Sequence, residues 1–105
     1  MPYRITTTRE AKAQFLGLSA REQRIISEGI AARLQDQPTR PSKAIKLLRP
    51  NPLASYELRL GDLRVLYNVD EENIEVIVAI VGRKEGNTLV VEGQEFHGHQ
   101  SDPTE

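Results

Sequence analysis

Residues 56–67, Tyr-Glu-Leu-Arg-Leu-Gly-Asp-Leu-Arg-Val-Leu-Tyr, constrain the fold of this chain more than any other stretch. Two alternating apolar runs flank Gly61-Asp62, a dipeptide suited to a two-residue hairpin turn with positive φ. A turn of that length fixes the register of both strands. Leu60 then faces Leu63, Leu58 faces Val65 and Tyr56 faces Tyr67, all on one side of the hairpin. On the other side Arg59 stands opposite Arg64, with Glu57 and Leu66 beside them. Like charges directly opposite each other destabilise a sheet. Such a pair calls either for a neighbouring carboxylate that relieves it or for an anion that it holds.

The elements around the hairpin follow from periodicity and capping. Tyr3-Arg4-Ile5-Thr6-Thr7 is a short β-leaning run. Thr7 with Glu10 has capping-box spacing, and Ala11, Phe15 and Leu18 recur on one side of the helix it would start, with Gly17 as a stop. Ser19 with Glu22 repeats the spacing and opens a longer helix whose Ile26, Ile30 and Leu34 fall in line, with Ile25 beside them. The gap between the helices forces an antiparallel helix hairpin. Gly29 in mid-helix costs about 1 kcal/mol relative to Ala, which points to close packing against a neighbour. After the polar turn Asp70-Glu71-Glu72-Asn73, residues 74–81 are apolar on both faces, the mark of a central strand. Simple alternation puts Ile74, Val76, Val78 and Ile80 on the Leu58/Val65 face, which the helices should cover, and Ala79 and Arg83 with Arg59 and Arg64 on the other. Gly86-Asn87 signals another turn before the apolar run Leu89-Val90-Val91. From Gly93 to Glu105 the chain is polar, a tail expected to fray.

A chain of 105 residues supports one packed core. It has no cysteine, hence no disulfide, thiolate metal site or cysteine nucleophile. His97 and His99 could share one side of a strand, but no third metal ligand is evident. No metal or other cofactor is expected. The first twenty residues carry Arg4, Arg9, Glu10 and Lys12 and do not read as a signal peptide, and no stretch approaches membrane-spanning length. A cytoplasmic protein with no membrane partner is the default. The net charge of −1 conceals an asymmetry: residues 1–50 hold ten Lys and Arg against four Asp and Glu, whereas residues 51–105 hold four against eleven. Net charge therefore gives no reason to expect nucleic-acid binding, while a local basic face remains open. Pro38, Pro41, Pro50 and Pro52 bracket a connection that contains Arg40, Lys43, Lys46 and Arg49 among Ile45, Leu47 and Leu48. It reads either as a solvated linker pinned by its apolar residues or as a basic rim beside the hairpin.

The order strand, helix hairpin, Lys46-Leu47-Leu48, Tyr56-Glu57-Leu58-Arg59-Leu60, Leu63-Arg64-Val65-Leu66-Tyr67 and Val81-Gly82-Arg83-Lys84 resembles the RelE/ParE superfamily, the toxins of type II toxin–antitoxin modules. The resemblance covers residues 2 to about 90. It implies an α+β fold, with an N-terminal strand and an antiparallel helix hairpin packed on one face of a mostly antiparallel sheet. It also implies one toxin domain over 1–92, with 93–105 as a polar C-terminal tail. RelE-like members cleave messenger RNA on the ribosome without a metal, the ribose 2′-hydroxyl attacking the adjacent phosphate. Carried over by position, Arg59, Arg64, Arg83 and Lys84 match basic residues of that site, with Glu57 as a possible base and Lys43, Lys46 and Arg49 along the RNA path. Glu57 stands where RelE toxins often have a second lysine, and Leu89-Val90 where an aromatic or histidine is usual. The resemblance therefore implies a ribosome-associated messenger-RNA endoribonuclease. The alternatives are a ParE-like toxin that binds DNA gyrase without catalysis, or a degenerate solitary member that binds only a protein partner. In each case the expected partner is a protein, a cognate antitoxin for a functioning toxin.

Overall fold

Apolar alternation on either side of a two-residue turn builds the centre of the sheet. In the computed structural model, which describes residues 2–86, 88–91 and 94–96, the elements in chain order are β1 (Arg4–Thr7), α1 (Arg9–Leu16), α2 (Ala20–Arg33), β2 (Ile45–Leu47), β3 (Tyr56–Leu60), β4 (Leu63–Asp70), β5 (Glu75–Glu85), β6 (Thr88–Val91) and β7 (Gln94–Phe96). The sheet runs β2-β3-β4-β5-β6-β7 with antiparallel neighbours, and β1 adds in parallel to the first half of β5. This is the α+β architecture that the sequence implies. The β3–β4 register is also the expected one, pair for pair, from Tyr56–Tyr67 to Leu60–Leu63. Gly61 takes φ 64° at the first turn position, where a II′ turn needs a positive φ that glycine adopts without steric cost.

The helices cap where side chains can reach orphan amides. Ser19 Oγ accepts from the Glu22 N–H at 3.1 Å, and Glu22 Oε1 accepts from the Ser19 N–H at 3.1 Å, a complete capping box. For α1 the cap is Thr8, one residue later than expected; its Oγ1 accepts from the Ala11 N–H at 3.1 Å. Thr7 is held extended by its pairing with Val78, so Thr8 is the first residue able to turn into the helix. On the side of β5 where β1 ends and β6 has yet to begin, α1 fills the gap. The Thr8 N–H donates to the Val78 carbonyl at 3.0 Å, and the Gln14 side chain accepts from the Val81 N–H at 2.9 Å.

Ala11, Ile26 and Leu34 of the helices pack with Leu58, Val65, Tyr67, Val76, Val78 and Val81 of the sheet in the main core. Close approach explains Gly29: a Cβ there would sit 2.5 Å from Leu60 Cδ1 and 2.6 Å from Cδ2. Tyr67 is fully buried, stacks on Tyr56 with ring centroids 5.4 Å apart, and donates its hydroxyl proton to the Pro38 carbonyl at 2.6 Å. This bond anchors one end of the proline-bracketed connection. At its other end the Asn51 side chain bonds to the backbone of Arg49, Leu53 and Ala54, shaping a loop that lays Leu48 and Ala54 over the second face of the sheet. The connection is thus pinned at both ends, and Ile45 and Leu48 are packed, whereas Leu47 is exposed.

Two expectations for β5 are corrected. Ile80 is not on the helix side, because Leu66 pairs with Ile80 but Tyr67 pairs with Val78, so Ala79 is an extra residue in a β-bulge. Past the bulge the alternation reverses. Val81 joins Val76 and Val78 in the main core, while Ile80 joins Leu66, Leu48, Ala54 and Leu89 in a smaller cluster on the opposite face. Ile74 is not in the strand at all: it lies in the turn at φ 51°, 40% exposed. Asp70 accepts from both the backbone and side-chain amides of Asn73, which closes that turn and delays the strand to Glu75.

Gly29→Ala should lower stability by about 1 kcal/mol in denaturant titration, as overpacking of roughly 1–3 kcal/mol against Leu60 outweighs about 1 kcal/mol of gained helix propensity. In a Leu60→Ala background the same change should become stabilising by about 1 kcal/mol. Tyr67→Phe should cost about 1–3 kcal/mol by leaving the Pro38 carbonyl without its donor, read as an unfolding midpoint shifted with unchanged denaturant slope.

Candidate functional site

The face of the sheet turned away from the helices is divided. Around Leu66, Ile80 and Leu89 it is apolar and covered by Leu48 and Ala54. Toward the hairpin turn it is charged. Arg59 pairs with Arg64, Arg64 with Gly82, and Lys46 with Glu57, so strand alternation places Lys46, Glu57, Arg59, Arg64, Gly82 and Lys84 together. Gly82 offers no side chain beyond Arg64, and the Lys84 N–H donates to the Asp62 carbonyl at 2.8 Å, drawing the end of β5 against the turn.

Glu57 relieves the arginine pair. Its carboxylate is 2% exposed, with Oε1 at 3.3 Å from Arg59 Nε and Oε2 at 4.0 Å from Arg64 Nε. A buried carboxylate is stabilised only where cations and donors surround it, and removing its partners is costly. The arginines differ in freedom. The Arg59 side chain is 36% exposed and the Arg64 side chain 12%. Arg64 Nη1 donates to the carbonyls of Gly61 at 2.6 Å and Leu63 at 2.9 Å, while its Nε is buried without a hydrogen-bond partner. Chemically the face offers planar bidentate donors for an oxyanion, with two lysines flanking them.

Arg83 does not join this group. The bulge at Ala79 sends it to the helix side, opposite Leu63, where it forms an ion pair with Glu22. Lys84 takes the arginine face in its place. With Gln14, Gly17, Leu18, Gly82 and Val90, the Glu22–Arg83 pair lines a cleft of about 400 Å³. The Arg83 guanidinium, foremost, and the Ser19 N–H hold the Glu22 carboxyl below the ordinary carboxylate range. The sequence pointed to Glu22 only as a capping residue, and nothing in its spacing announced a second role across 61 positions. Lys43 and Arg49 are exposed on the connection either side of β2, and Lys46 is half-buried within it. Arg40 bonds Gln37 at 3.3 Å, away from the hairpin. Leu89, at the position where the resemblance leads one to expect an aromatic or a histidine, is 6% exposed and paired with Lys84. His97 and His99 lie outside the described residues. Among the described residues no cluster of acids and histidines could hold a metal, and no helix is long and apolar enough to cross a membrane.

An N-terminal strand, a helix hairpin on one face of the sheet and a cationic patch on the other define a toxin of the RelE/ParE superfamily, which serves type II toxin–antitoxin systems. Residues 5–86 match the family model of the ParE toxin of the type II toxin–antitoxin system parDE, and the chain belongs to that family. Among solved structures it is similar to a chain of the RelBE2 toxin–antitoxin complex of Mycobacterium tuberculosis, with 26% identity, TM-score 0.67, and 80% of this chain and 100% of that one covered. The archaeal RelE–RelB complex of Pyrococcus horikoshii OT3 matches at 21% identity and TM-score 0.64, covering 82% of this chain and 98% of that one. The isolated E. coli RelE toxin matches at 22% and 0.62, covering 79% and 85%. At those two identities the likeness is one of fold. No curated protein shows significant sequence similarity to the chain.

The lowered Glu22 carboxyl has a definite sign. A depressed folded value contributes stability above the ordinary value of 4.5, and that contribution is lost as pH falls through the folded value. Glu22→Gln should therefore be less stable than the wild type by a constant margin at neutral pH, and the margin should shrink in acid. Thermal unfolding of both chains from pH 7 to pH 3 reads this directly.

Proposed function

We propose that this type II toxin acts on RNA, as a metal-independent endoribonuclease of messenger RNA at the ribosome. The observation that carries the reading is the cross-strand Arg59–Arg64 pair on a face shared with Lys84 and Lys46. In this mechanism the two guanidiniums bind the scissile phosphate and stabilise the extra negative charge that develops when the ribose 2′-hydroxyl attacks it. Lys84 supplies further positive charge and is the group on this face able to donate a proton to the leaving oxygen. Glu57, buried between the arginines, offsets their mutual repulsion in the free toxin. Lys43, Lys46 and Arg49 meet phosphates on either side of the scissile bond. Arg83, on the helix side, acts through the fold by tying β5 to α2. The partner that restrains the toxin is a cognate antitoxin, a reading supported by the RelBE2 complex, in which a chain 26% identical to this one is part of a toxin–antitoxin assembly.

A second reading is favoured by one specific observation: Leu89, on the arginine face beside Lys84, is apolar and buried. A site without that proton-transfer group suits a toxin that inhibits DNA gyrase by binding. Purified protein added to a translation extract should cut messenger RNA, and Arg64→Ala should slow the cut by roughly 10²–10³, the effect of removing one charge-stabilising donor. Arg59→Ala, at a more exposed position, should slow the cut by a similar factor, with a loss of stability from the buried Glu57 carboxylate left short of a partner, read separately by denaturant titration. No cleavage together with inhibited supercoiling by gyrase would replace the first reading with the second.

A further inference from the structure

The arginine face carries one group that phosphate binding does not call for. Of the side chains that alternation places beside Arg59 and Arg64, namely Lys46, Glu57, Leu66, Gly82 and Lys84, a single one is anionic. Its two oxygens are divided between the two arginines, Oε1 toward Arg59 Nε at 3.3 Å and Oε2 toward Arg64 Nε at 4.0 Å. A phosphodiester would present two non-bridging oxygens to the same donors in the same manner. The fit of the carboxylate is incomplete, since 4.0 Å is beyond hydrogen-bond range. Arg64 Nε is left buried with no hydrogen-bond partner. A buried donor without an acceptor carries an unrecovered desolvation cost, and an anion that reached it more closely would recover that cost. We propose that Glu57 is an internal counter-anion that occupies the arginine pair and lowers its affinity for phosphate esters, so that an entering phosphate must displace the carboxylate. This rests on the arginine face being the phosphate site of the toxin.

Thermal unfolding of the full chain in inorganic phosphate, against chloride at equal ionic strength, tests the displacement without RNA. The wild type should respond weakly. Glu57→Gln keeps the shape and removes the charge, and should gain roughly 6 °C once phosphate is ten times its dissociation constant. Arg64→Ala added to it should abolish the gain. Equal responses from wild type and Glu57→Gln, or a gain that survives loss of Arg64, would overturn the proposal. If Glu57→Gln does not fold, Glu57→Met makes the same charge change with an apolar chain beside Leu66. Failure of both to fold would overturn it as well, because the carboxylate would then be a fixed structural counter-ion. A single-stranded oligoribonucleotide separates this claim from the RNA reading. Its affinity for Glu57→Gln should rise, with a salt slope steeper by about 0.7, the value for one additional phosphate contact. A phosphate gain without any RNA gain would uphold the role of Glu57 and sink the RNA reading. RNA binding that needs Arg64 but does not change with Glu57 would do the reverse.

Discussion

A turn of two residues leaves no slack, and the rest of the molecule inherits the register it sets. Because Leu60 closes on Leu63 around Gly61-Asp62, every side chain of β3 and β4 is assigned to one face or the other within the span of the hairpin. The apolar set turns to the helices and nucleates the main core, where Gly29 lets α2 come down onto Leu60. The same register compels Arg59 and Arg64 to face each other. A slip of one residue would relieve the repulsion but would turn Leu58, Val65 and Tyr67 to solvent. At about 1.5–3 kcal/mol for each large apolar side chain buried, against at most about 1 kcal/mol for an unfavourable cross-strand pair, burial wins. The charge pair is tolerated as the smaller cost, and Glu57 reduces it further.

β5 shows how a second constraint can hide in a sequence. Residues 76–81 are apolar without interruption, so either phase of a period-two pattern buries something suitable, and alternation alone cannot locate a break. The break is at Ala79, small enough to be the extra residue of a bulge beside the tightly packed Tyr67. Its consequence is felt four residues later, where Arg83 and Lys84 exchange faces. The sheet thereby acquires a second, smaller core around Leu66, Ile80 and Leu89, and the helix side acquires an arginine that Glu22 must neutralise. What was legible in the sequence was set by local rules: the hairpin pairs, the Ser19–Glu22 cap, and the justification of Gly29. What was not legible depended on tertiary packing, as in the shift of the α1 cap to Thr8 by β1 pairing, the positive φ of Ile74, and the face taken by Arg83.

The candidate site follows the same division. Arg59, Arg64 and Glu57 could be placed from the hairpin alone, because their neighbours are fixed by the turn. Lys84 reaches that face only through the bulge, and Leu48 with Ala54 only through a loop organised by Asn51, whose bonds have no periodic signature. The proline-bracketed connection is polar and basic in sequence, yet its Leu48, with Ala54 from the loop that follows, covers part of the second face while Ile45 joins the main core. The basic region is therefore confined to the hairpin end, which is a patch of a few side chains rather than an open cationic sheet.

That confinement bears on what chemistry the patch can support. Stabilising a pentacoordinate phosphate requires fixed positive charge, and Arg64, held by the carbonyls of Gly61 and Leu63, supplies it beside Arg59. Moving protons requires groups that change charge near neutral pH, which arginine does not do. Among the described residues of this face the other ionisable side chains are Lys46, Lys84 and Glu57, and Glu57 sits between the two arginines. On the proposed RNA reading, acceleration by this surface would come mainly from charge stabilisation and alignment, with Lys84 as the proton donor and solvent, the RNA or the ribosome supplying the base. Under that reading, so limited a patch would cut free RNA slowly, and faster where a large partner bends the strand into line. Alignment of the 2′-oxygen with the leaving oxygen would then carry the part of the barrier that proton transfer does not.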